Sequence, residues 1–385
     1  MMLRLKFIAF SFLCFQFFGS VTCFACLLQW VSETPAPNTD GQVEGIANFE
    51  VSGAINAVTP HPENADVLFA GAVSGGVWRT LNATAGKPTW ESLTDKMDSL
   101  SISALEFDLS DSNLNTLVAG TGQTSSFGGE GVLAGVYKTT DAGATWDQID
   151  GKLFIGSQEV GKVSDLDITG ISVFKDELVV AARLKSRTTS AGIWRSTDNG
   201  VKWSREISGR CFDLTRDPSN PMVLYTNGLD ATGSPGIFRS NDHGSSWNKV
   251  STFQMDSLLG AANNVQIAVG HNGATLVVIA SSSISGVFHR LDDNSQWSSL
   301  SLPLSEIGGI HPGNQADTHL SVAVDPNDGN IVYIGGDRQD GSFPPRGLVN
   351  PPPQNSIGAT DYVGALARGD ARKIPPTQWL SLIHI

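Results

Sequence analysis

One phrase, repeated along the chain, constrains this sequence more than anything else in it. Residues 135–149 read GVYKTTDAGATWDQI, residues 192–207 read GIWRSTDNGVKWSREI, and residues 236–250 read GIFRSNDHGSSWNKV. Each copy runs Gly, a β-branched residue, an aromatic, a base, then Ser/Thr-x-Asp-x-Gly-x-x-Trp. A unit this short cannot bury its apolar face alone, so successive copies must stack on one another. Weaker copies flank the three. GVWRTLNATAGKPTW (76–90) lengthens the turn and sets Asn82 where the Asp stands elsewhere, GVFHRLDDNSQW (286–297) lacks the Gly, and GALARGDARKIPPTQW (364–379) keeps little beyond the frame. The closing tryptophans Trp90, Trp146, Trp203, Trp247, Trp297 and Trp379 are 56, 57, 44, 50 and 82 residues apart. Intervals near 50 suit one four-stranded sheet each.

Upstream of each phrase lies an apolar segment broken by a turn, as in INAVTPHPENADVLFAGA (55–72), DLTRDPSNPMVLYTNG (213–228) and LSVAVDPNDGNIVYIGG (320–336). Asp-Pro followed by Asn or Ser is turn chemistry, because Pro fixes φ and the short polar side chains bond the local backbone. Each repeat therefore reads as two hairpins, a four-stranded antiparallel sheet. The expected fold is all-β, a β-propeller with blades at about 51–95, 101–151, 163–209, 210–252, 263–303 and 317–380. With six blades recognisable and no seventh repeat, a ring with unpaired edges is expected, hence a fragment of a propeller of seven or more blades. Residues 381–385 fit no repeat element and read as a non-native end.

Within the phrase, Asp141, Asp198 and Asp242 are placed to accept turn amides, Gly143, Gly200 and Gly244 to take φ > 0, and Trp146, Trp203 and Trp247 to pack between blades. Copies of one turn face different directions around a ring and cannot converge on one substrate. These residues are expected to be structural.

Composition narrows the partners. The formal charge of −13 and pI near 4.9 repel phosphate backbones and anionic lipid, so nucleic acid is excluded as an expected partner. Residues 1–25 carry a basic start (Arg4, Lys6) and an apolar run from Phe7 to about Val21, shorter than the ~20 residues that span a bilayer. They read as a cleaved signal peptide rather than an anchor, with 26–50 as a linker or first strand. That implies export, to the extracellular space or the secretory lumen, without membrane insertion after cleavage. Cleavage leaves only Cys26 and Cys211, too few for a disulfide framework, and whether they pair is open. Asn82-Ala83-Thr84 is an N-glycosylation sequon, relevant in a eukaryotic source.

The S/T-x-D-x-G-x-x-W hairpins resemble the Asp-box or BNR repeats of sialidases, sortilin-type receptor ectodomains, xyloglucan-cleaving glycosidases and secreted bacterial propellers without assigned activity. The order AVSGGVWRT, SISALEFD, then a Gly-rich excursion before GVYKTTDAGATW is most similar to that last group. The resemblance covers about residues 51–380 and speaks to fold far more than function. Sialidases carry an Arg-Ile-Pro motif that is missing here; Arg79 and Arg195 belong to the repeat frame. Xyloglucan-cleaving relatives set two carboxylates across a cleft between two propellers, and no second propeller is legible. The sortilin-like resemblance implies a non-enzymatic scaffold for protein, peptide or glycan. The alternatives are a glycoside hydrolase, or an assembly scaffold for a membrane complex such as the photosystem assembly factors that share the repeat.

Candidate ligand-binding residues lie where blade loops converge. Asp317 and His319 lead into the strand LSVAV, and Asp337 and Arg338 end the next one; a carboxylate beside an imidazole can bind a ligand or move a proton. Two possible ligands fall short of a zinc set, so neither metal nor cofactor is expected. Glu130 is the one charge in the loop TGQTSSFGGEG (121–131), a length that marks a functional or loosely ordered segment. A Pro-rich excursion, GSFPPRGLVNPPPQNSIGAT (341–360), accounts for the widest tryptophan interval and reads as a lid or contact loop.

Overall fold

The computed structural model describes residues 53–124, 131–183, 191–303, 309–337 and 365–382. Glu130, Arg338, Cys26, the leader, the Pro-rich excursion and residues 383–385 lie outside them. Blade 1 comprises β1 (Ile55–Pro60), β2 (Leu68–Ala72), β3 (Gly76–Thr80) and β4 (Trp90–Ser92); blade 2 comprises β5 (Ile102–Phe107), β6 (Leu117–Thr121), β7 (Val136–Thr139) and β8 (Asp147–Ile149). A hairpin, β9 (Lys152–Ile155) and β10 (Gln158–Lys162), precedes blade 3, which holds β11 (Asp167–Phe174), β12 (Glu177–Arg183), β13 (Gly192–Ser196) and β14 (Lys202–Ser208). Blade 4 is β15 (Leu214–Asp217), β16 (Asn220–Leu229), β17 (Pro235–Ser240) and β18 (Asn248–Lys249), followed by an α-helix, α1 (Phe253–Leu259). Blade 5 is β19 (Asn264–Val269), β20 (Thr275–Ala280), β21 (Ile284–Arg290) and β22 (Ser298–Leu300); blade 6 is β23 (Ser321–Val324), β24 (Ile331–Gly335), β25 (Leu366–Asp370) and β26 (Trp379–Ser381).

Each blade is an antiparallel meander in chain order, as two successive hairpins dictate. Sequence reading did not foresee the β9–β10 hairpin, whose β9 runs parallel against the outer strand β14 with Leu153 opposite Trp203. Nor did it foresee α1, which opens on a Thr252 hydroxyl that accepts from the Met255 amide.

Five apolar clusters among the described residues each draw on two consecutive blades. Phe69 of β2 and Tyr137 of β7 share one, Val136 of β7 and Trp203 of β14 the next, then Val179 with Leu224, Tyr225 with Phe288, and Leu276 with Val332. Strands bury alternate residues on both faces because each inner blade is sandwiched, so β6, β12 and β20 are buried almost end to end.

Polar ties repeat with the blade period. On the inner strands, Thr59 Oγ1 donates to the Leu105 carbonyl (2.6 Å), Thr169 Oγ1 to Cys211 (2.9 Å), and Thr215 Oγ1 to Ile267 (2.8 Å). On the outer side, the base of each phrase reaches the turn of the next: Arg79 Nη1 to the Ala142 carbonyl (2.6 Å), Lys138 Nζ to Asn199 Oδ1 (2.7 Å), Arg195 Nε to the His243 carbonyl (3.1 Å), and Arg239 to the Asp293 carboxylate. The base that the sequence shows only as part of a frame is thus an inter-blade tie.

The turns themselves close by a common scheme. In blade 4, Ser240 Oγ accepts the Gly244 amide (2.8 Å) and donates to Asp242 Oδ1 (2.8 Å), while Asp242 accepts the Ser246 amide (2.8 Å) and hydroxyl (2.6 Å). Trp247 Nε1 returns to the Gly244 carbonyl at 3.0 Å. Asp141 and Asp198 make the corresponding bonds. Two consecutive left-handed residues, such as Asn199 (φ 56°) and Gly200 (φ 83°), build the turn, and a Cβ on Gly200 would overlap Ile149. In blade 1 Asn82 takes the acceptor role, receiving the Thr80 hydroxyl (2.9 Å) and the Thr89 amide (2.9 Å).

Candidate functional site

The inner strands of all six blades, with the segments leading into them, line one central cavity of about 780 Å³. Its wall is made of strand edges and the mixed polar and apolar side chains they carry. Two carboxyls there are strongly perturbed. Glu106 on β5 is 14% exposed at its side chain, and burial pushes it up to about 7 against the opposing pull of Arg216, with which it pairs across blade 3. Asp213, at the entry to β15, is likewise pushed up to about 7 by burial, although its Oδ2 accepts the Ile267 amide at 2.7 Å. Arg216 also donates to the Phe107 carbonyl (3.1 Å), so blades 2 and 4 meet over β11.

Behind Glu106 runs a polar chain into the seam between blades 3 and 4. Ser172 Oγ lies 3.4 Å from Glu106 Oε1 and 3.3 Å from His243 Nε2; His243 Nδ1 lies 3.4 Å from Glu177 Oε2, which also pairs with Arg195 (2.9 Å). The order serine, histidine, carboxylate suggests a nucleophile, but Ser172 and His243 are both fully buried. No substrate reaches them. Burial holds the His243 imidazole below its ordinary range, with Arg195 and Arg216 adding to the effect and Glu177 opposing it, so it stays neutral near pH 7.

The residues singled out from sequence fall at the blade 6 end of the wall. Asp317 lines the cavity and is exposed, whereas His319 and Asp337 are half-buried beside it. His319 offers its carbonyl to His311 Nε2 (2.8 Å), and Asp337 Oδ2 accepts the Gly313 amide (3.1 Å). His311 is the member sequence reading missed. It is buried, with Nδ1 lacking a hydrogen-bond partner among the described residues, and burial keeps it below the ordinary histidine range while Asp337 and Asp317 pull the other way. Among the described residues, no three His, Cys, Asp or Glu side chains converge to hold a metal.

Glu106, Asp213 and Arg216 were also missed. The signal was present as a lone Glu inside the apolar run SISALEF and as Asp and Arg flanking LT in DLTRD. Asp141, by contrast, is held down to about 2 by the Thr145 and Thr139 hydroxyls and local amides, the state of a fixed anion in a turn.

The chain matches no family model and no curated protein. Solved structures do match. A GH74 xyloglucanase from Xanthomonas campestris aligns with TM-score 0.52 at 18% identity over 86% of this chain and 45% of its own. An ancestral GH74 enzyme aligns with TM-score 0.49 at 15% identity, over 82% and 43%. YCF48 bound to D1 peptide aligns with TM-score 0.47 at 16% identity, over 86% and 82%. The chain thus spans less than half the length of the two GH74 proteins. At such identities the xyloglucanase likeness concerns architecture alone, and it agrees with the meandering four-stranded blades around one cavity: the chain is a β-propeller.

Proposed function

We propose that this chain is an exported Asp-box β-propeller that serves as a non-enzymatic binding scaffold, engaging a protein, peptide or glycan at its central cavity. The observation that carries this reading is the cavity of about 780 Å³ lined by all six blades, within the ~300–1,000 Å³ range of ligand sites. The repeated aspartates of the turns, Asp141, Asp198 and Asp242, stay out of it, spent on local hydrogen bonds. The cavity's charged groups are fixed into the wall: Glu106 by Arg216 and Ser172, Asp213 by the Ile267 amide.

A glycoside hydrolase is the second reading, and one observation favours it. Glu106 and Asp213 both titrate near 7, where a general acid operates. Against it, hydrolysis needs a free carboxyl pair roughly 5–10 Å apart across a bond, whereas Glu106 is tied to Arg216 and Asp213 to the Ile267 amide. Incubating the full chain with chromogenic glycosides and a glycan and peptide array tests both. Binding without turnover is expected. Turnover lost in both Glu106→Gln and Asp213→Asn would replace the scaffold reading with hydrolysis.

A further inference from the structure

The cavity wall is electrically uneven. On the side of β5, β11 and β12 the charges are matched: Glu106 carries Arg216, and Arg183 Nε holds Asp167 at 2.8 Å. On the side of β15, β19 and the approach to β23, the donors are spent on the wall itself. Asn264 Nδ2 donates to the Ala316 carbonyl (2.9 Å), Gln266 Nε2 to Asn264 Oδ1 (3.1 Å), and Thr215 Oγ1 to the Ile267 carbonyl (2.8 Å). Asn264 is 8% exposed, so this amide chain is pinned.

Asp213, Gln266 and Asp317 line the cavity on that side; the Asp213 carboxyl accepts the Ile267 and Leu214 amides, which fixes it in the wall but gives it no cationic partner. Among the described residues, no Lys, Arg or His lies at ion-pair distance from Asp213 or Asp317. Keeping a carboxyl in a confined wall with no countercharge costs stability, and a donor-rich cation removes that cost. We propose that this sector of the channel binds the ammonium or guanidinium group of a basic peptide, with Asp213 and Asp317 as charge partners and the Gln266 carbonyl as a neutral acceptor.

The inference rests on the reading of the cavity as the recognition site. Two properties accord with it. The net charge of −13 draws cations toward the molecule. Asp213, raised to about 7, is about one-tenth ionised at pH 6 and nine-tenths at pH 8, so a cation should bind up to about ninefold more tightly at the higher pH and expel a proton as it does. The charged groups around Asp213 in the cavity are Arg216 on its own strand, Glu106 on β5, Arg183 on β12 and Asp317 before β23.

The test is calorimetric titration of the full chain with acetyl-tetralysine amide, spermine and calcium chloride, each at pH 6 and pH 8. Tetralysine is expected to bind at pH 8, several-fold less well at pH 6, and at least tenfold less well to Asp213→Asn; Asp317→Asn, at an exposed position, should weaken it several-fold. Glu159→Gln, on the exposed β9–β10 hairpin, removes one charge elsewhere and should change nothing. An equal loss in Glu159→Gln would reduce the effect to overall charge and overturn the site. Binding of spermine or calcium but not of tetralysine would overturn the peptide assignment. Tetralysine binding that ignores Asp213→Asn but is abolished by Gln266→Trp, which fills the cavity, would sink this inference and keep the scaffold reading, whereas binding that survives Gln266→Trp would sink the cavity reading too.

Discussion

Blades 4 and 5 solve the same closing turn in two ways. Blade 4 staples it locally, with Ser240, Asp242 and Gly244 bonded to one another and Trp247 returning to Gly244. Blade 5 puts Arg290 at the serine position and Asn294 at the glycine position, and neither Asp293 nor Asn294 takes a left-handed φ. Asp292 still gathers the Asn294 and Ser295 amides, both at 2.8 Å. The Ser295 hydroxyl adds a third local bond to Asp292 at 2.9 Å, and the remaining ties of the turn involve the neighbouring blade. Trp297 Nε1 donates to Val250 (2.7 Å), and Arg290 stacks on Trp297 (4.9 Å to the ring centre) while binding the Tyr225 hydroxyl and Asp293 at 2.8 Å each. Arg239 joins the same Asp293 and Tyr225. A repeat can therefore shed its signature if it moves its hydrogen bonds from the turn to the seam.

The largest test of that contrast is Gly200→Ala in blade 3. It combines a left-handed backbone with overlap on Ile149, and it should cost about 2–4 kcal/mol by denaturant unfolding. Asn294→Ala at the matching position of blade 5 should cost under about 0.5 kcal/mol; a larger loss would mean the blade 5 turn is also locally stapled. Arg290→Met comes next, at about 1–2 kcal/mol, since it removes a buried guanidinium from Tyr225 and Trp297 and leaves the partly exposed Asp293 with Arg239 alone. Ser240→Ala in blade 4 should cost about 1 kcal/mol, the value of a local cap bond. Reversal of that order would break the comparison.

Acid unfolding is the finest probe, because both turns keep their aspartate. Asp292 and Asp242 are each held below the usual carboxylate range, Asp292 mainly by the Ser295 hydroxyl and Asp242 by hydrogen bonds that outweigh burial. A lowered folded value means the contribution exists above about pH 4 and fades as pH falls through the folded value. Asp292→Asn and Asp242→Asn should each flatten the acid limb of a stability–pH curve. The channel supplies the opposite limb. Glu106 and Asp213 are raised, so their folded forms hold protons more tightly than the unfolded chain; that stability is complete below about pH 4 and is lost as pH rises through about 7. The double variant Glu106→Gln/Asp213→Asn should abolish the decline between about pH 4 and 7.

The propeller was legible because its evidence is local and repeated. A phrase from Gly to Trp fits in one hairpin, and its spacing announces one sheet per copy. The channel was not, because its chemistry depends on partners far away in sequence: Arg216 meets Phe107 109 residues upstream, and Asn264 finds Ala316 52 residues on. Asp317, His319 and Asp337 could be picked out by residue type beside strands. His311 could not, since only the fold shows it buried among them. The tie made by each base was visible as Arg79, Lys138, Arg195 and Arg239, but its purpose required the neighbouring blade.

The parallel hairpin against blade 3 bears on a different matter, survival at high concentration. A propeller turns the rim strand of every blade outward, and an outward strand with free amides and carbonyls invites pairing with another molecule. Most rim strands here are only two or three residues long, β4, β8, β18, β22 and β26 among them, too short to template a partner. The exception is β14, at seven residues, and it is the strand that β9 covers. Deleting the hairpin would bare the longest rim strand among the described residues, and aggregation should begin there while the other five blades stay intact.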